Sequence, residues 1–291
     1  MRSIFTVANL NYLNQVLVLA RSVRRHETAH FTLVLVEKTI PPELLLLDSG
    51  IDQIILVEDL VPDFAAQAKI YTVVEASTSV KGAALLHLLA ARGVETVIYL
   101  DPDVAIFSDL NDLSDLATQS SIALTPHQLV PSETETMVLE EIESLKYGVF
   151  NFGCFAVAPD SVGFEFAKWW DSRISKYSFE RHSDGLFTDQ KWGNLVPIFF
   201  PSAAICPDPG VNHAHWNLHA RTLTFSQDGR VLVNGVPLRM FHFTKGPGMG
   251  FEASMAKTSF CEEIAHIWCW YRNELEDANS LHSIPKAWSF A

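Results

Sequence analysis

The sequence predicts an α/β fold in which a mostly parallel central sheet is flanked by helices, followed by a small antiparallel β-meander and a C-terminal helix. Three observations carry that prediction. The chain opens with strand, helix and strand in succession, the order that builds parallel sheets. An apolar run, Val97 to Leu100, stops on Asp101-Pro102-Asp103 and resumes at Val104, as an interior strand does on reaching a ligand crevice. Late in the chain, Asp228-Gly229 and Asn234-Gly235 separate short apolar runs at hairpin spacing.

Residues 3–8 read as the first strand. Leu13, Val16, Leu17, Ala20 and Val23 then recur at helical spacing and run into Arg21, Arg24 and Arg25, cations that suit a helix C-terminus. Residues 30–36 and 53–57 read as the second and third strands, with Pro41-Pro42 breaking the pattern between them. Residues 61–71 read as an irregular or short helical connection. Residues 80–92 form a helix with Ala84, Leu85, Leu88 and Leu89 as its buried stripe and Gly93 as its C-cap. A short helix at 110–116, a strand at 121–125 and an acidic surface helix at 133–145 follow. The strand at 150–158 is interrupted by Asn151 and Gly153, and a glycine there marks a bulge or the close approach of a ligand. The helix at 161–177 packs Phe164, Phe166, Trp169 and Trp170, and Thr188 caps a short helix that begins with Asp189 and Gln190. The meander takes residues 223–225, 231–233 and 238–243. Phe260, Ile264, Ile267, Trp268, Tyr271 and Leu275 then form one helical stripe that docks on the rest. With no repeat, low-complexity run or linker, residues 1–291 read as a single domain.

Composition excludes several classes of function. With 48% hydrophobic and 19% charged residues the chain is globular. Its 21 basic residues against 34 acidic ones give a net charge of -13 without basic runs, which excludes duplex nucleic acid as a partner. The four cysteines lack C-x-x-C spacing, so reduced thiols in a cytoplasmic protein are expected. The N-terminus lacks the long apolar core of a signal peptide, and no apolar run approaches the roughly 18 residues of a membrane span. The expectation is a cytoplasmic protein without a transmembrane segment, leaving open peripheral association with the inner face of the cell membrane.

Asp101 and Asp103 end a buried strand, where ionised carboxylates need compensation; a divalent cation supplies it most simply. The structural alternative is a turn aspartate followed by a helix cap for Leu110 onward. Ala8, Asn9 and Tyr12 follow the first strand and would border the same crevice, although Asn9 also suits an ordinary N-cap. Lys81 opens a helix, where its charge opposes the dipole unless an anion lies nearby; otherwise it is a solvated lysine. His242, Lys245, Gly246, Pro247 and Gly248 form a loop suited to backbone approach to something charged. His213, His215 and His219 form a second cluster, in which His215 and His219 have the spacing of two zinc ligands on one helix face. No acidic base accompanies them, so a packed loop, or a crevice loop with Trp216 stacking on a sugar, is preferred.

Taken in order, Ala8-Asn9 after a strand, Lys81 opening a helix, Tyr99-Leu100-Asp101-Pro102-Asp103, Asn151-Phe152-Gly153, Asp189-Gln190 and His242-Phe243-Thr244-Lys245-Gly246 resemble the glycogenin and lipopolysaccharide galactosyltransferase-like family of glycosyltransferases. The resemblance covers roughly residues 4–248 and implies the GT-A (nucleotide-diphospho-sugar transferase) fold. It implies that Asp101, Asp103 and His242 hold Mn²⁺ or Mg²⁺ against the diphosphate of a UDP-sugar donor. Lys81 is implied near the diphosphate and donor sugar, Lys245 and Gly246 at the phosphates, Asn151 and Gly153 at the donor sugar, and Asp189 and Gln190 beneath the anomeric centre. The implied activity is metal-dependent transfer of a hexose, with retention, to a saccharide or glycolipid acceptor, as in bacterial polysaccharide biosynthesis.

The sequence departs from that family in two places. His242-Phe243-Thr244-Lys245-Gly246-Pro247-Gly248 replaces the usual His-x-x-Gly-x-x-Lys-Pro-Trp ending, and bulky Phe152 stands where small residues are common. Two rival readings compete. A haloacid-dehalogenase-like phosphatase also puts Asp-x-Asp after an apolar strand, but near its N-terminus and with Thr or Val where Ala105 stands here. A non-catalytic protein that binds nucleotide sugars or carbohydrates could keep the same ligands without turnover.

Overall fold

A computed structural model describes residues 1–131, 133–257 and 261–291. β1 (Arg2–Ala8), α1 (Leu13–His26) and β2 (Ala29–Leu35) form the expected βαβ unit, and β3 (Gln53–Leu56) extends it in parallel. α2 (Val73–Ser79) and α3 (Lys81–Leu89) lead to β4 (Thr96–Leu100), which pairs in parallel with the other side of β1. After β5 (Val104–Ile106) and α4 (Asn111–Ser120), β6 (Ile122–Pro126), α5 (Glu135–Tyr147), β7 (Phe150–Val157) and α6 (Ser161–Tyr177) complete the central part. A small hairpin, β8 (Glu180–Arg181) and β9 (Leu186–Phe187), and β10 (Ala204–Ile205) follow. The seven-stranded sheet runs β10-β6-β7-β4-β1-β2-β3, with β7 antiparallel to both neighbours and the other pairings parallel.

Alternation along β1 builds both sides of this sheet. Ile4 and Ala8 face one apolar layer, which contains α1 and the late helix α7 (Glu262–Ser280). Phe5 and Val7 face the other, which contains α3 and α6, and β4 divides the same way between Ile98 and Tyr99. Phe155, Phe166 and Trp170 pack ring on ring in the second layer, and burying each such side chain contributes about 1.5–3 kcal/mol. Because β2 and β4 leave β1 on opposite sides, the strand order reverses between β1 and β4. A crevice opens at the carboxyl ends of those two strands.

Several expected elements are adjusted. A separate helix, α2, started by a capping box in which Thr72 and Glu75 satisfy each other's backbone N–H, precedes the helix predicted at 80–92, which is found as α3, ending at Leu89. Gly93 takes a left-handed φ of +81° beyond that end rather than capping it, as Ala90 holds the C-cap position. The connection at 61–71 contains a short helix, Phe64–Ala68. The meander consists of β11 (Leu223–Phe225), β12 (Val231–Val233) and β13 (Val236–Pro237), and not of residues 238–243. Asn234, at φ +50°, and Gly235 close a two-residue turn that sets Val233 opposite Val236, so the third strand ends early. The buried run behind it becomes β14 (Met240–His242), which pairs antiparallel with β5. In α7, Ile264, Ile267, Trp268 and Tyr271 are buried as the stripe predicts; Phe260 lies outside the described residues.

Candidate active site

The β14–β5 ladder brings together residues about 140 positions apart. Val104 stands opposite His242, and the Phe243 N–H donates to the Asp103 carbonyl at 2.8 Å, so the imidazole lies beside the Asp-Pro-Asp corner. From across the sheet, the Asp101 N–H donates to the Gly153 carbonyl at 2.8 Å. His242 Nε2 is 3.1 Å from Asp103 Oδ1 and 3.8 Å from Asp101 Oδ2. One ligand atom from each of Asp101, Asp103 and His242 falls within 4.8 Å of the others.

Lys81, at the start of α3, is 4% exposed and points inward. Its Nζ donates to Asp101 Oδ1 at 3.1 Å and Asp189 Oδ2 at 2.8 Å, and lies 4.3 Å from the centre of the Tyr99 ring. Two buried carboxylates therefore supply the anion that its unfavourable helix position calls for. Burial pulls Lys81 down, but Asp101 and Asp189 outweigh it and hold the ammonium above its ordinary range. Burial would raise Asp101, yet Lys81, His242 and the Tyr99 hydroxyl, which donates to Oδ1 at 2.5 Å, keep it below the usual carboxylate range. Burial also opposes protonation of His242, but Asp103 and Asp101 raise its pKa overall.

Gly153 is required where it stands. A Cβ there would lie 2.5 Å from His242 Cε1, 2.6 Å from Asp101 Oδ2 and 2.7 Å from Asn151 Oδ1, inside contact distance of all three. Asn151 accepts from the Gly153 N–H at 3.1 Å and donates to Gln190 Oε1 at 3.4 Å, while Gln190 donates to the Tyr147 carbonyl at 3.2 Å. Bulky Phe152 packs its ring into the aromatic layer beside Trp170, while the residue also lines the crevice. Asp189 follows Thr188, held at a φ of +42°, whose hydroxyl donates to Asp189 Oδ1 at 3.1 Å. Both oxygens of Asp189 are thus engaged.

Ala8, Asn9, Tyr12, Lys81, Asp101, Asp103, Asn151, Gly153, Asp189, Gln190, His242 and Lys245 all line one crevice of ≈ 640 Å³. Gly246 does not line it; with φ +70° it carries the turn after Lys245, itself at +66°. The Asn9 side chain accepts from the Asn11 N–H at 2.9 Å, which is the capping role, while the residue also borders the crevice. His215 and His219 do not share an α-helical face. Residues 218–220 make a 3₁₀ turn rather than an α-helix, and among the described residues the only cluster with metal-ligand spacing is Asp101, Asp103 and His242.

His127 and the Tyr99 hydroxyl escaped sequence reasoning. A lone histidine ending a strand looks like core, and a tyrosine inside an apolar run like packing; only the placement of Tyr99 two residues before Asp101, on the same side of β4, could have hinted at its contact. His127 contacts the Asn151 amide at 3.3 Å and lies edge-on to Trp216, as do His215 and His242. Burial lowers the pKa of His127 to about 4 and that of His215 to about 3, so both rings are neutral at physiological pH. Neutral imidazoles beside an indole offer one donor, one acceptor and a flat apolar face, a combination suited to sugar hydroxyls and C–H groups.

A sequence model of glycosyl transferase family 8 matches residues 3–163, more than half of the chain and the part that holds β1, Lys81, the Asp-Pro-Asp corner and Gly153. The chain belongs to glycosyl transferase family 8. Membership of that family does not favour the phosphatase or the non-catalytic reading. YfnF of Bacillus subtilis (strain 168), an uncharacterized protein, is 28% identical over 152 residues, which are 52% of this chain and 50% of YfnF. The chain therefore spans about half the length of that relative. Among solved structures, the galactosyltransferase LgtC in complex with donor and acceptor sugar analogs superposes with a TM-score of 0.52 at 18% identity, covering 98% of each chain. The apo-form glycosyltransferase GlyE of Streptococcus pneumoniae TIGR4 gives 0.54 at 15% identity over 98% of this chain and 65% of its own. These likenesses show the GT-A fold. Among the described residues no helix is long and apolar enough to cross a membrane.

Proposed function

We propose that this family 8 enzyme transfers a hexose from a UDP-hexose to a saccharide or glycolipid acceptor with retention of anomeric configuration, using Mn²⁺ or Mg²⁺. The observation that carries the reading is the convergence of Asp101, Asp103 and His242 within 4.8 Å, in the same crevice as the Lys81–Asp189 pair and the Asn151–Gln190 amides. Two carboxylates and an imidazole are a fitting donor set for Mn²⁺, and a poorer one for Mg²⁺, which prefers oxygen ligands. Gly153 leaves the room they need. When bound, the ion supplies positive charge against the leaving diphosphate.

Lys81 fixes Asp101 and Asp189 in place and helps hold Asp101 ionised. Lys245 faces the phosphates and Gly246 carries the turn behind it, while Ala8, Asn9 and Tyr12 border the nucleotide. Asn151 and Gly153 border the donor sugar, and Gln190 orients it below the anomeric carbon. A covalent step on Asp189 is disfavoured because Lys81 and Thr188 already occupy its two oxygens. A front-face route follows, in which a departing phosphate oxygen takes the acceptor's proton as the new glycosidic bond forms. In this reading residues 1–291 act as one catalytic domain in the cytoplasm, at the inner membrane face where the acceptor is a glycolipid, and in the biosynthesis of surface polysaccharide.

The test is incubation with a panel of nucleotide sugars plus Mn²⁺, following UDP release with and without EDTA. The expected result is release from one UDP-hexose that EDTA abolishes. Metal-independent binding with no turnover of any donor contradicts the proposal.

A further inference from the structure

Three lysines line the crevice, and their situations differ. Lys81 is buried between two carboxylates. Lys245 has no carboxylate partner among the described residues, and Lys257, which ends the short helix Phe251–Ala256, reaches over to α5. There its Nζ meets Glu140 Oε1 at 2.5 Å, joining walls of the crevice that lie 117 residues apart in the chain. The Lys257 side chain is 28% exposed and that of Glu140 16%, so the pair sits at the crevice's edge rather than inside the core.

The charges around the crevice give this contact a purpose. Six carboxylates line it, Asp101, Asp103, Glu140, Glu143, Glu180 and Asp189, against the three lysines. A divalent cation at Asp101, Asp103 and His242 offsets only the first two. With that cation bound the lining still carries net negative charge, so an ammonium that turns to the entering diphosphate puts positive charge where it is most needed. After burial, Lys257 and Lys245 are the foremost causes of the lowered His215 pKa, so both cations act on the part of the crevice that holds His215, Trp216 and His242.

We propose that Lys257 is a binding residue for the donor's diphosphate and that Glu140 is its resident competitor, holding the ammonium at the crevice until phosphate oxygens replace the carboxylate. The inference rests on the donor reading above. It differs from a purely structural salt bridge in what Glu140 does. A structural bridge helps hold the crevice together, so losing either partner harms binding. A competitor, by contrast, weakens nucleotide binding, and its removal strengthens it. The exchange favours the nucleotide because a diphosphate offers more charge and more acceptor oxygens than one carboxylate.

Calorimetric titration of the full chain with UDP in excess Mn²⁺ tests this on the wild type, Lys257→Met, Glu140→Gln and the double variant, with thermal melts confirming that each is folded. The expected result is about tenfold weaker binding for Lys257→Met and about threefold tighter binding for Glu140→Gln. The double variant should match Lys257→Met, since without the lysine there is nothing to compete for. Weaker binding in Glu140→Gln overturns the proposal in favour of a structural bridge, and wild-type affinity in Lys257→Met overturns it outright. If the wild type itself binds no UDP with Mn²⁺, the donor reading falls and this inference falls with it. The two failures are therefore told apart by the wild-type titration alone.

Discussion

Replacing Gly153 by alanine adds one methyl group at the point where the proposed metal ligands meet. The backbone there is ordinary extended strand, so the cost is not conformational. It is steric: the new Cβ would sit at 2.5, 2.6 and 2.7 Å from atoms of His242, Asp101 and Asn151. Restoring ordinary contact distances of about 3.4 Å requires them to retreat by about 0.7–0.9 Å. None is free to do so without loss. The His242 ring packs edge-on against Trp216, Asp101 is held by Tyr99 and Lys81, and Asn151 is bonded to His127 and Gln190. Overpacking of this kind costs about 1–3 kcal/mol of stability. Displaced ligand geometry should weaken Mn²⁺ binding by about 10–100-fold, the range seen when groups that orient metal ligands are disturbed. Isothermal titration with Mn²⁺, paired with a thermal melt, measures both. Wild-type Mn²⁺ affinity in a folded Gly153→Ala protein would refute the reasoning, because it would mean that the ion binds elsewhere.

Three further outcomes are expected. Asp101→Asn should reduce turnover about 100–1,000-fold while the protein stays folded, read from initial rates of UDP release. Lys81→Met strands Asp101 and Asp189 as buried carboxylates without their cation and should lower stability by about 3–5 kcal/mol in denaturant melts; added Mn²⁺ should recover part of the loss through Asp101. In the metal-free protein His242 has a raised pKa, so its contribution to stability is fully present below the unfolded value and is lost as pH rises through the folded value. Mn²⁺ needs the neutral ring, so its affinity should climb over the same interval above pH 6.5, with proton release on binding measured by titration in buffers of differing ionisation enthalpy.

Much of this site was legible because its parts obey local rules. Apolar residues in an interior strand do not end on two aspartates without compensation, and Asp101 and Asp103 do have it, from Lys81, Tyr99 and His242. Lys81 read as out of place in its helix because the anions that justify it come from elsewhere in the chain. The βαβ opening followed from periodicity alone. What sequence could not show was partnership. Residues 238–243 carry a strand's apolarity, but whether they join the meander or β5 depends on the Asn234-Gly235 turn and on which surface is left open, a tertiary matter. His127 has no pattern around it, and its importance arises only because β6 ends beside Asn151 and Trp216. The i, i+4 spacing of His215 and His219 carried no information, since helical spacing has meaning only where the backbone is helical.

The most direct measurement is a crystal structure with UDP and Mn²⁺ recorded at the manganese absorption edge. An anomalous peak bonded to Asp101, Asp103 and His242 together, with diphosphate oxygens completing its shell, is the predicted result. A manganese ion held without His242, or found away from the Asp-Pro-Asp corner, would contradict the metal site on which the proposed transfer depends.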